Sequence, residues 1–160
     1  MNNFQSVDGV LDFAIKREQE AFDFYTDLAA KVKRPDMQTL FKQFAEEEKG
    51  HKAKLQGVKQ GKQLLPAEKQ VLDLKMSDYL VADEPTEEMT YQKALILAMK
   101  KEKVSFKLYT DLAARAPSID LKNPFSSLAR FLIDHKEVSK EEFFQKLRET
   151  QRRKDDENQD

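Results

Sequence analysis

The chain has 160 residues and a net charge of −1, and charged side chains of both signs make up 36% of the sequence. This balance argues against nucleic acid or an acidic membrane as the main partner, because both require a clustered basic excess. It contains no cysteine, which excludes disulfides, iron–sulfur clusters, thiolate metal sites and cysteine nucleophiles. No apolar run approaches the roughly 20 residues of a transmembrane helix, and the start of the chain lacks the pattern of a signal peptide, so we expect a cytoplasmic protein.

The first half of the chain predicts a helical hairpin. A first helix is predicted over residues 4–32, because its apolar residues recur at spacings of three, four and seven, as on one face of an amphipathic helix. They are Val10, Leu11, Ala14, Ile15, Ala21, Phe22, Tyr25, Leu28 and Ala29. A second helix is predicted over about residues 36–59, with Asp36 after Pro35 as its N-cap. The short joint between the two helices predicts that they pack antiparallel.

The second half predicts another hairpin. A third helix is predicted over residues 86–116, because Thr86 can act as N-cap and two glutamates follow it in the first turn. A fourth is predicted over residues 123–148, with Asn123 as N-cap and Pro124 at the first helical position. Residues 60–85 are too many for a tight turn, so we expect them to cross the length of the bundle and to carry a short helix over residues 67–79.

Two hairpins joined by a long crossover indicate an all-α, ferritin-like four-helix bundle. We expect residues 1–150 to form this single domain. The last residues, 151–160, are strongly charged and have no apolar stripe, which predicts a disordered tail.

A repeated phrase links the two hairpins. FYTDLAA at residues 24–30 returns as LYTDLAA at residues 108–114, an offset of 84 residues. The same offset, without a gap, pairs Glu18 with Glu102 and His51 with His135. The repeat covers about 45 residues, the length of a helical hairpin of this size. Its matched apolar residues are explained by packing alone, but its matched polar residues are not.

The glutamates of the first and third helices are the first of these polar matches. Glu18 lies on or beside the apolar stripe, and Tyr25 follows it two turns later on the same face. Glu102 and Tyr109 repeat that arrangement. An ionised carboxylate inside a helical bundle is costly unless a cation or hydrogen bonds compensate it.

The second and fourth helices carry the histidines, of which the chain has two. Glu48 and His51 are three residues apart, so both can ligate one ion, whereas the adjacent Glu46 and Glu47 are interpreted as a solvated face. Imidazole combined with carboxylates suits iron, manganese or zinc. The sequence therefore predicts a metal site whose ligands come from four helices: Glu18, Glu48, His51, Glu102 and His135.

These motifs resemble those of the ferritin-like di-iron superfamily, in particular its rubrerythrin-like branch. The ExxAxxxY run of that branch stands here as Glu18, Ala21 and Tyr25, and its counterpart as Glu102, Ser105 and Tyr109. The resemblance implies an up-down-down-up bundle, a carboxylate-bridged pair of metal ions, and reactions with dioxygen or hydrogen peroxide.

The resemblance also implies a role for each candidate residue. These are ligands of one ion (Glu18 and His51), ligands of the other (Glu102 and His135), a bridging carboxylate (Glu48), and hydrogen-bond donors to the carboxylates (Tyr25 and Tyr109). The cofactor would be two iron ions, or one if the site is incomplete, with zinc or manganese as alternatives. A homodimer is implied as well. Electrons would come from a separate donor protein, since a chain without cysteine has no rubredoxin module.

Two positions depart from the pattern of the family. Leu132 stands where the repeat of Glu48 would supply a second bridging carboxylate, and Met99 stands where typical rubrerythrins have a further glutamate. Three functions therefore stay open. The first is a di-iron protein with oxidase, ferroxidase or peroxide-reducing chemistry. The second is a bundle that binds or senses one iron or zinc ion without turnover, and the third is a purely structural bundle.

Overall fold

The structure, a computed structural model, describes residues 4–62, 64–81, 91–131 and Arg152. Its helices are α1 (Val7–Lys31), α2 (Pro35–Gln60), α3 (Glu68–Leu72), α4 (Tyr91–Arg115) and α5 (Ile119–Phe131), with short 3-10 turns at Leu65–Ala67 and Met76–Tyr79. The described residues include no strand, and the predicted all-α fold class is confirmed. No described helix has the length and apolar character needed to cross a membrane.

The first hairpin has nearly the bounds that were predicted for it. Ser6 caps α1, because its hydroxyl oxygen accepts a hydrogen bond from the backbone N–H of Gly9 at 2.9 Å. The predicted N-cap of α2 at Asp36 is wrong. Arg34 occupies the cap position and Pro35 is the first helical residue, where its fixed φ suits the helix and its missing N–H costs nothing.

The second helix of the second hairpin, α5, begins earlier than predicted. Ser118 caps α5, since its hydroxyl accepts a hydrogen bond from the N–H of Leu121 at 3.3 Å and its carbonyl from Lys122 at 2.9 Å. The predicted cap at Asn123 is therefore wrong, and Pro124 lies inside the helix, where it removes one backbone hydrogen bond. Residues 86–90 of the predicted third helix and 132–148 of the predicted fourth lie outside the described residues.

The crossover carries a short helix inside the predicted range 67–79, but this helix, α3, ends at Leu72 and a separate 3-10 turn follows at Met76–Tyr79. A continuous helix would place Tyr79 about 140° around the axis from Leu74, yet both side chains are buried. The break allows both to face the core. The crossover is held to α4 because the Tyr79 hydroxyl donates to Asp111 Oδ2 at 2.5 Å and Arg115 Nε donates to the carbonyl of Gln70 at 3.0 Å.

The apolar core consists of two clusters. One combines the start of α1, the end of α2, the crossover, the end of α4 and most of α5. The other combines the end of α1, the start of α2 and the start of α4. Between them lies a layer of buried polar side chains, and in the described part of the chain these are Glu18, Glu48 and His51. The fold therefore places charged groups at mid-length of the bundle, enclosed by apolar packing on both sides.

Candidate metal centre

Three of the predicted ligands meet between α1 and α2. Glu18 is 3%, Glu48 2% and His51 8% exposed. His51 Nδ1 lies 3.3 Å from Glu48 Oε2 and 3.5 Å from Glu18 Oε2. One ligand atom from each residue lies within 4.8 Å of those of the other two. The structure thus brings together the two carboxylates and the imidazole that the sequence pattern selected on these helices.

The local sequence explains this convergence. Glu48 and His51 are three residues apart on α2, so their side chains leave the helix on the same side. Ala45 and Leu55, one turn before and after them, are buried in the two clusters. The stripe that packs α2 against α1 therefore continues through the polar layer and directs both ligands towards Glu18.

The donor set fits a transition-metal ion. Bonds of about 2.0–2.2 Å to nitrogen and oxygen place neighbouring ligand atoms roughly 3.0–3.4 Å apart, close to the two distances from His51 Nδ1. Glu18 Oε2 is buried and has no hydrogen-bond partner among the described residues, although a buried carboxylate oxygen is strongly unfavourable without one. A bound cation would remove that cost, and mixed carboxylate and imidazole ligands suit iron, manganese or zinc.

Two tyrosines connect the hairpins by hydrogen bonds that cross from one to the other. The Tyr109 hydroxyl donates to Glu18 Oε1, and the Tyr25 hydroxyl donates to Glu102 Oε1 at 3.3 Å. Moving seven residues forward along α1 therefore corresponds to moving seven residues back along α4, as an antiparallel pair of helices requires. Each tyrosine supports the glutamate of the opposite hairpin and not the glutamate of its own helix.

The environment keeps both tyrosines in their neutral form. Burial raises the pKa of Tyr109 well above its ordinary value, and the charge of Glu18 raises it further. Burial and then the charge of Glu102 raise the pKa of Tyr25 in the same way. A neutral phenol is a hydrogen-bond donor, so these side chains fix the orientation of the two carboxylates at neutral pH.

Glu102 occupies a different position from the group of three. It is half-buried and is not part of the Glu18–Glu48–His51 group. Its carboxyl group nevertheless interacts electrostatically with Glu18. Burial of its carboxyl group raises the pKa of Glu102 well above the ordinary value, and Glu18 and Glu47 raise it further, whereas the bond from Tyr25 lowers it. The predicted ligand His135, like Leu132, lies outside the described residues.

Glu47 was missed as a candidate. Its neighbour Glu46 is exposed, as interpreted from the sequence, but Glu47 is half-buried. Glu47 Oε2 is buried, and within residues 4–62, 64–81 and 91–131 it has no hydrogen-bond partner. Helical periodicity places this residue at the edge of the apolar stripe, so its burial depends on the neighbouring helices and no local signal in the sequence distinguishes it from Glu46.

The raised pKa of Glu102 predicts how the metal-free protein responds to pH. Glu102 keeps its proton in the folded state at pH values where the unfolded chain, with a carboxyl pKa of about 4.3, has lost it. The folded state then binds more protons, so stability falls as pH rises through this window. We expect the melting temperature of chelator-treated protein to decline from about pH 5 upward. Glu102→Gln should flatten that decline, and an unchanged slope in the variant would contradict the assignment.

Comparison with known proteins agrees with this architecture. The family model described as Rubrerythrin matches residues 9–147, which include both hairpins, the crossover and every predicted ligand. Comparison with curated proteins finds no match, and neither does comparison with solved structures.

Proposed function

Because the chain belongs to the rubrerythrin family, we propose that it is a non-haem iron protein of the di-iron carboxylate type, with oxidase, ferroxidase or peroxide-reducing chemistry. The observation that supports this most strongly is the buried Glu18–Glu48–His51 group, whose atoms are spaced as ligands of one ion. Dioxygen or hydrogen peroxide is the proposed oxidant. A separate protein would donate the electrons, and the homodimer and the cytoplasmic location remain predictions from the sequence.

Some side chains of the site would bind metal ions, and others orient the carboxylate ligands. Glu18, Glu48 and His51 would hold one ion, and Glu102 with His135 would hold the second. Tyr109 and Tyr25 keep one oxygen of Glu18 and one of Glu102 hydrogen-bonded, which leaves the other oxygen of each carboxylate to a metal. The apolar clusters on both sides of the polar layer limit the access of water.

Iron supplies the redox chemistry when it is bound. A pair of iron ions held by these side chains would supply the two-electron reduction of hydrogen peroxide to water. Each turnover would then require two electrons from outside the chain, which is why a donor protein is part of the proposal.

One observation favours a second candidate function. Glu18, Glu48 and His51 lie within ligand distance of one another, but Glu102 is outside this group, accepts a hydrogen bond from Tyr25 and is half-buried. This asymmetry would suit a bundle that holds a single iron or zinc ion and does not turn over.

The test is the metal content of protein purified without chelator, followed by anaerobic loading with ferrous iron and addition of hydrogen peroxide. We expect two irons per chain and oxidation of both by one equivalent of peroxide. One tightly bound ion without peroxide consumption would favour the second candidate. Protein that binds neither iron nor zinc would overturn both.

A further inference from the structure

Glu47 is a half-buried glutamate that has no role in the proposed metal centre. It stands on α2 between exposed Glu46 and buried Glu48, with a buried Oε2 that accepts no hydrogen bond from the part of the chain that the structure describes. A solvated surface glutamate turns both oxygens to water. Burying one oxygen without a donor is unfavourable, so this arrangement calls for a cation or a donor beyond those that the described residues supply.

The direction of the Glu47 side chain is indicated by what surrounds it. Glu47 precedes His51 by four residues, so the two side chains lie on neighbouring parts of one helix face. Glu47 also follows Phe44 by three residues, so these two side chains leave α2 on the same side. The centroid of the Phe44 ring lies 5.3 Å from that of the Tyr25 ring, and the Tyr25 hydroxyl donates to Glu102 Oε1, so the Glu47 carboxylate faces the half of the site to which Glu102 belongs.

The balance of charge between metal ions and carboxylates also indicates Glu47. Two divalent ions carry four positive charges, but Glu18, Glu48 and Glu102 provide three negative ones. In the second copy of the sequence repeat the position equivalent to Glu48 is Leu132, which provides none. Glu47 would supply the fourth charge from the first copy.

We propose that Glu47 is a ligand of the second metal ion, the one next to Glu102, and supplies the negative charge that Leu132 does not. This inference rests on the proposed metal centre. It makes α2 the source of three ligands, with Glu48 and His51 directed towards Glu18 and Glu47 directed towards Glu102. Because Glu47 is half-buried and the other ligands of α2 are enclosed, the second ion is the more exposed and the more easily exchanged.

Anaerobic titration of the metal-free chain with cobalt(II) tests the proposal, because the visible absorption of cobalt reports both stoichiometry and coordination. We expect two cobalt ions per chain in the wild type. In Glu47→Gln the first ion should bind with unchanged affinity, and the second should bind at least about tenfold more weakly. Glu46→Gln, a change of the same chemistry at the exposed neighbour, should match the wild type.

A second variant separates a ligand from a distant charge. Glu47→Asp keeps the charge but withdraws the carboxylate by one methylene, so a ligand role predicts weaker binding of the second ion and a changed cobalt spectrum. Circular dichroism of the metal-free variants should show unchanged helix content, because no hydrogen bond of Glu47 Oε2 is lost.

The outcomes distinguish this inference from the proposed function. Two ions in the wild type with no effect of Glu47→Gln would overturn the role of Glu47 and leave the di-metal centre standing. One ion in the wild type, unaffected by the substitution, would also overturn it and favour the single-ion alternative. No cobalt in any variant would overturn the metal centre and the inference together.

Discussion

Glu48→Gln is expected to change the stability of this protein in opposite directions with and without metal. Loss of a buried carboxylate ligand should weaken metal binding by at least about 100-fold. Glu48 is 2% exposed and lies beside Glu18. The same change removes its buried negative charge, so the metal-free variant should be more stable than the wild type, by about 1–3 kcal/mol. Such a trade between stability and binding is typical of functional sites.

Thermal unfolding with and without ferrous iron, under anaerobic conditions, measures both effects. The wild type should gain several degrees on loading because the ion binds the folded state, and Glu48→Gln should gain little. Glu46→Gln is the matched control, since that glutamate is exposed on the same turn. A metal-free Glu48→Gln protein less stable than the wild type would show that Glu48 is a structural residue.

Phe41→Ala and Phe125→Ala are expected to cause the largest losses of stability. The two residues are equivalent in the repeat, and they are 1% and 0% exposed. Phe41 packs with its ring centroid 6.3 Å from Tyr25 and 6.4 Å from Phe44. Truncation of a fully buried phenylalanine costs about 3–5 kcal/mol, which corresponds to a fall of roughly 6–20 °C in melting temperature for a chain of this size.

Phe24→Ala provides the comparison for these two variants. Phe24 also contacts Tyr25, with a centroid distance of 5.7 Å, but it is half-buried and its loss should cost clearly less. Chemical denaturation of metal-free protein gives the free energies of unfolding. If Phe125→Ala cost no more than Phe24→Ala, the packing of α5 against α4 would not be as described.

The sequence predicts the elements whose signals are local. The bounds of α1 follow from its apolar stripe, and the start of α2 follows from Pro35. The start of α5 was misplaced because both Ser118 and Asn123 are good caps, and the choice between them depends on whether Leu121 is buried. Leu121 is 1% exposed. A single apolar residue in a segment that resembles a loop does not reveal that it is buried.

The candidate site was predictable to a similar degree. Spacing placed Glu48 and His51 on one face, and the repeat linked Glu18 to Glu102. Neither the crossed tyrosine bonds nor the burial of Glu47 could be read from single helices, because both depend on how α4 lies against the first hairpin. Side chains seven residues apart stand about 10.5 Å apart along a helix, so Tyr25 cannot support Glu18 and must find its acceptor on another element.

The crossed bonds also describe the symmetry of the molecule. Advancing Tyr25 by 84 positions gives Tyr109, and moving Glu102 back by 84 gives Glu18, so the two bonds are one contact made twice. That reciprocity is the mark of an isologous interface, in which the same patch of each partner meets the other across a two-fold axis. The chain is thus built as a dimer of hairpins held in one polypeptide. Because the halves are covalently linked, they need not be identical, and Glu18 and Glu102 differ in burial.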